Sequence, residues 1–107
     1  MNKEDFTLIG HIAVDSGTCW IGDPCYVLTP DAKNFPARSW NEFCDLLKEK
    51  EKNSGIYGVG QWNFNRGVDG LGVTTGTGYG DGFYPVYAIL RDGVVGGVFV
   101  DFMGFLD

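Results

Sequence analysis

The sequence predicts an α+β, mainly β fold: a single antiparallel β domain, sandwich or small barrel-like, over residues 1–107, with one amphipathic helix at about residues 39–52. Three observations predict it. Apolar residues alternate with period two in several short segments, the mark of half-buried strands. One segment alone carries apolar residues at spacings of three and four. Seventeen glycines, about twice the usual share, are scattered through apolar sequence rather than gathered in a linker, which suits tight turns and close backbone approach.

The first strand is expected at Phe6 to Val14, with Phe6, Leu8, Gly10, Ile12 and Val14 at even positions and Thr7 and His11 between them. Asp15-Ser16-Gly17 reads as a turn into a second strand, Thr18–Ile21. Gly22-Asp23-Pro24 breaks that strand, because proline lacks a donor and restricts its predecessor. Cys25–Leu28 is expected as a short strand or extended exit, and residues 29–38 as a loop punctuated by Pro30 and Pro36.

Ser39-Trp40-Asn41-Glu42 is a capping box. It opens a helix whose stripe of Trp40, Phe43, Cys44 and Leu47 is apolar and whose remainder is charged. Asn53-Ser54-Gly55 ends it. Ile56–Phe64 and Leu71–Thr75 are expected strands, separated by turn signals at Asn65-Arg66-Gly67 and Asp69-Gly70.

Asp92-Gly93 suits a two-residue hairpin turn. Its register sets Arg91 opposite Val94, Ile89 opposite Gly96 and Tyr87 opposite Val98. One face then carries Val86, Ala88, Leu90, Val95 and Phe99; the other carries Tyr87, Ile89, Val94, Val98, Val100 and Phe102. Both faces are apolar, whereas a solvated antiparallel sheet alternates. Each face therefore needs a cover. The helix supplies one, and a second sheet or a second copy of the chain, as a homodimer, supplies the other.

The formal charge is −6, with only eight Lys and Arg. That balance argues against nucleic acid, whose phosphates demand a concentrated positive field, and fits solubility or a basic partner. The start MNKEDFTLIG has no apolar core of signal-peptide length, and no run reaches membrane-spanning length. The expectation is a cytoplasmic protein with no membrane partner and reduced thiols. Three cysteines without a CxxC pair argue against thiolate zinc. No cofactor or metal is expected.

One phrase occurs twice. Ser16-Gly17-Thr18 is followed by Gly22-Asp23 and Tyr26, and Thr75-Gly76-Thr77 by Gly80-Asp81 and Tyr84. Turn chemistry alone produces such similarity, but two loops of equivalent geometry would make a binding rim. The alternating glycines 76–82 would bare several amides to an anion or a polar ligand edge. The candidate ligand-binding residues are Ser16, Thr18, Asp23, Thr75, Thr77, Tyr79 and Asp81. Walker and dinucleotide loops do not fit: there is no loop lysine, and the glycine spacing differs. Asp15, Asp23, Asp69 and Asp81 match no calcium-loop spacing.

Catalysis is the weaker class. Cys25 or Cys19 as nucleophile, His11 as base and Asp15 as orienter can be drawn, yet a strand histidine beside a carboxylate is usually solvated, and free cysteines are usually packing. A paired-carboxylate site from Asp23 and Asp81 has nothing to fix its spacing. Trp20, Trp62 and Tyr79 would serve either a core or a protein interface.

The stretches VDSGTCWIGDPCYV (14–27) and GYGDGFYPVY (78–87) resemble a group of small bacterial and bacteriophage proteins that pair a DSG…DPCY segment with a GYGDG-x-YPVY segment ahead of a terminal hairpin. The likeness covers both ends of the chain, and Gly76-Thr77-Gly78 is longer than the pattern. It implies a microbial or phage origin and a compact β fold, and brings no chemistry. The leading functional expectation is a non-enzymatic module binding a small polar, nucleotide-like ligand, such as a sequestering or counter-defence protein. The alternatives are an inhibitor or accessory protein that binds a host protein through acidic and aromatic surface, and a small hydrolase.

Overall fold

The structure, a computed structural model, describes residues 2–28 and 35–106. It is mainly β: two antiparallel three-stranded sheets and one α-helix, with no closed barrel among the described residues. The strands are β1 (Phe6–Val14), β2 (Thr18–Gly22), β3 (Gly60–Asn63), β4 (Asp69–Gly76), β5 (Gly82–Arg91) and β6 (Val94–Val100); the helix α1 spans Trp40–Ser54. The chain divides into two compact units, Met1–Gly17 with Thr77–Asp107, and Thr18–Gly76.

The first unit holds the sheet β1-β5-β6. β1 occupies the span its alternation predicts, but a bulge between Leu8 and Gly10 changes its facing: Leu8 pairs with Tyr87 and Gly10 with Val86. Phe6 and Leu8 therefore share a face with Tyr87, while Gly10, Ile12 and Val14 lie on the other with Tyr84 and Val86. An inserted residue reverses every side chain beyond it. The hairpin shows the same effect. Arg91 pairs with Val94 as expected, but a bulge then sets Ile89 opposite Gly97 and Tyr87 opposite Phe99. Phe99 and Val98 thus exchange the faces that an unbroken register assigns them.

Pro85 stands inside the central strand β5, where a missing donor normally disqualifies proline. It is tolerated because β6 ends at Val100: the Asp101 amide donates to the Pro85 carbonyl at 3.1 Å, and no further residue of β6 needs a return bond. Asp101 itself is only 1 % exposed. Its carboxylate accepts from the amides of Met103 (3.2 Å), Phe105 (3.0 Å) and Leu106 (2.9 Å), so it ties down the turn that follows β6.

The second unit holds β2-β4-β3 and α1. Ser39 caps the helix by accepting from the Glu42 amide at 3.1 Å, and Glu42 accepts from Arg38, one residue before the expected reciprocal donor. Gly55 ends the helix in the left-handed region at φ 74°, with its amide bonded to the Glu51 carbonyl at 2.8 Å, a conformation that glycine adopts without a Cβ penalty. Within its own unit the helix packs against β3.

The reason is Trp62. It is fully buried, its ring stacks on Phe43 at 4.6 Å, and the Lys50 ammonium lies 4.7 Å from the ring centroid. Its Nε1 donates to Thr74 Oγ1 at 2.8 Å. Trp20 lies flat across the same sheet, and Gly22 and Gly72 make room for it: a Cβ on Gly72 would fall 2.3 Å from the indole. Cys25–Leu28 is not a strand; Pro24–Tyr26 forms a single 3-10 turn. Of the segment Ile56–Phe64, only Gly60–Asn63 is extended.

Candidate functional site

The seven residues singled out by the repeated phrase divide between the units: Ser16, Thr77, Tyr79 and Asp81 in the first, and Thr18, Asp23 and Thr75 in the second. In the first unit β1 and β5 hold the loop 77–81 beside the turn 15–17, because Val14 pairs with Gly82 and the Thr77 amide donates to the Gly17 carbonyl at 3.1 Å. Thr77 is fully buried. Its hydroxyl donates to the Gly80 carbonyl, which also accepts from Tyr84 Oη at 2.8 Å. Thr77 is therefore the hub of the loop rather than a ligand donor. Gly78 and Gly80 take φ of 76° and 84° and carry Tyr79 outward, 71 % exposed. Ser16 and Asp81 are exposed beside it.

In the second unit Thr18 pairs with Gly76 and Cys19 with Thr75, which puts the Thr18 and Thr75 side chains on opposite faces of the sheet. The Thr75 hydroxyl turns back onto the Gly76 carbonyl at 3.0 Å. Asp23 stands beyond the opposite end of β2, about 16 Å from Thr18 at the rise of a strand. There its carboxylate accepts from the Cys25 amide at 3.0 Å and opens the 3-10 turn. The two Gly-Asp dipeptides thus have different local geometries: one starts a proline turn at φ −77°, and the other closes a glycine loop. Their likeness in sequence reflects turn chemistry.

The cysteines are not disposed as nucleophiles. A hydrogen bond with the Asp23 carboxylate, then burial and the charge of Asp23, push the Cys25 thiol up, and burial pushes Cys19 up. Both changes disfavour the thiolate that nucleophilic chemistry requires. His11 stacks on Phe83 at 4.8 Å, the rings nearly parallel at 3°. All three cysteines are free, and among the described residues no cluster of three or more His, Cys, Asp or Glu is placed to hold a metal ion. Among these residues no helix is long and apolar enough to cross a membrane.

A different surface emerges in the first unit. Phe105 (72 %), Phe83 (69 %) and Leu8 (52 %) are all exposed. Phe83 and Leu8 lie on the face of the sheet that also carries Phe6, Tyr87 and Phe99. Phe105 packs against Phe99, with ring centroids 6.4 Å apart. The same unit holds seven carboxylic residues against Lys3 and Arg91, a formal −5 of the chain's −6. Exposed apolar sheet surface on an acidic unit is compatible with protein docking. The hairpin's two apolar faces were its signal in the sequence. The bulges that decide which side chains remain outside were not legible there.

In comparison with known proteins, no family model, curated protein or solved structure matches the chain.

Proposed function

We propose that the protein is a non-enzymatic binding module whose β1-β5-β6 unit docks another protein, one that presents a basic rim around an apolar surface. The observation that carries this reading is the coincidence of large exposed apolar side chains with nearly all of the chain's net negative charge in one compact unit. An inhibitor or accessory protein of phage or bacteria, acting on a host protein, fits that surface. Photo-crosslinking residues at Phe83 and Phe105, with Ile56 and Val68 of the other unit as controls, test it in extract of the source cell. The expected result is a discrete adduct from Phe83 and Phe105 alone, with a basic protein, weakening as salt rises. Equal labelling from all four positions, or none, overturns the proposal.

A second reading retains the loop 77–82 as a site for a small polar, nucleotide-like ligand. One observation favours it: the amides of Gly78 and Asp81 donate to no acceptor among the described residues, and exposed Tyr79 and Asp81 adjoin them. A melting-temperature screen against nucleotides and metabolites tests it. Ligand at 100 times its Kd adds about 2.7 kcal/mol, and Asp81→Asn should remove the shift. A flat screen sinks this reading.

A further inference from the structure

We infer that β6 accepts an extended, basic segment of the partner protein as a fourth strand of the β1-β5-β6 sheet, seated on a notch at Gly96 and Gly97. The inference rests on the docking reading and specifies how the partner is held.

β6 is an edge strand. In an antiparallel ladder, hydrogen-bonded and non-bonded pairs alternate. The pair Arg91–Val94 closes the two-residue turn, and the Asp101 amide bonds to Pro85 at the far end. Counting inward from both ends, across the bulge, leaves Val95, Val98 and Val100 with N–H and C=O groups directed away from β5. Among the described residues none of the three bonds to a partner outside the ladder, and Val95 and Val98 are exposed. Edge strands are ordinarily protected by lysine, proline or an inward charge. Val94–Val100 reads VVGGVFV and contains none of these.

The two glycines supply the second observation. Glycine weakens a strand, and within strands it marks a bulge or a place where another backbone comes close. Gly22, Gly60, Gly72 and Gly76 are demanded by a close neighbour, as Gly72 is by Trp20. At Gly96 a Cβ would meet nothing nearer than the Ile89 carbonyl oxygen at 3.6 Å, and at Gly97 nothing nearer than Ile89 Cδ1 at 3.7 Å. Both are ordinary contacts, and neither residue has a positive φ. The fold would accept side chains at both positions. Their absence opens a hollow of about 490 Å³ lined by Asp5, Ile89, Leu90, Arg91, Gly96 and Gly97. An added strand gains main-chain hydrogen bonds along such an edge and places side chains in such a hollow.

Charge selects the occupant. A second copy would bring −5 against −5, whereas a basic segment meets Asp5 at the notch. Arg91, at the same rim, is one of only two basic residues in the unit.

The test uses the full chain, isotope-labelled, and an eight-residue peptide of alternating Lys and Val. The peptide is N-methylated at every second residue so that it presents one hydrogen-bonding edge. Hydrogen exchange at the Val95, Val98 and Val100 amides should slow at least tenfold with this peptide and remain unchanged with its Glu–Val counterpart. Gly97→Val fills the notch and should abolish the slowing without lowering the melting temperature of the protein. Unchanged exchange with the Lys–Val peptide, equal slowing with the Glu–Val peptide, or protection that grows with protein concentration alone (a second copy on the edge) each overturns the inference. Crosslinks from Phe83 and Phe105 that persist alongside unchanged exchange would leave the docking reading standing and remove strand addition alone.

Discussion

The buried hydroxyl of Thr77 and the phenol of Tyr84 converge on one acceptor, the carbonyl of Gly80. That shared acceptor holds the loop of alternating glycines in one conformation, with Tyr79 and Asp81 on the outside.

Because either donor alone leaves the Gly80 carbonyl satisfied, Tyr84→Phe and Thr77→Val should each cost about 1–2 kcal/mol. The double variant should cost more than their sum, since it strands the carbonyl. Denaturant melts of the four proteins measure this, and strict additivity would contradict the shared role.

Asp101 gives stability a pH dependence. Burial raises its pKa, but the amides of Leu106, Phe105, Met103 and Gly104 outweigh that and hold it below the usual carboxylate range. A depressed folded value means that the stabilisation is full above the unfolded pKa of about 3.9 and fades as pH falls through the folded value. Asp101→Asn should therefore be less stable than the parent at pH 7, and the gap should narrow towards pH 2. Thermal melts across that range check the sign.

Two glycine substitutions should move stability in opposite directions. Gly72→Ala forces a Cβ into the Trp20 ring and should cost about 1–3 kcal/mol as overpacking. Gly97→Ala meets only ordinary contacts and should stabilise by roughly 0.4–1 kcal/mol, through reduced freedom of the unfolded chain. Melting temperatures read both directly.

Cys25 is exposed yet held towards the thiol by Asp23. Its alkylation at pH 7.5 should be slower than that of an unstructured cysteine, and Asp23→Asn should speed it. Faster alkylation of the parent chain would restore Cys25 as a candidate nucleophile.

Local signals carried over directly into the structure. The alternation from Phe6 to Val14, the Ser39 cap and the Asp92-Gly93 turn each specify a backbone conformation through a few adjacent residues, and β1, α1 and the β5–β6 hairpin lie where those signals fall. The ligand residues were less legible. Thr77 looks like an exposed hydroxyl in a glycine loop, and only the return of Gly17, sixty residues away in sequence, buries it. Asp23 and Asp81 look alike because Gly-Asp serves any turn, while Pro24 and Gly82 lead them into different ones.

By itself, the sequence determined the mainly β composition, the single helix with its two ends, and the closing hairpin, because capping, alternation and turn chemistry act between near neighbours. The tertiary structure alone decided the facing of the strands and the seat of the helix. A bulge is a mismatch in count between two paired strands, as at Leu8–Gly10 against Tyr87–Val86, so neither strand encodes it alone. The helix settles where Phe43 can stack on Trp62, a contact between residues that no local pattern relates.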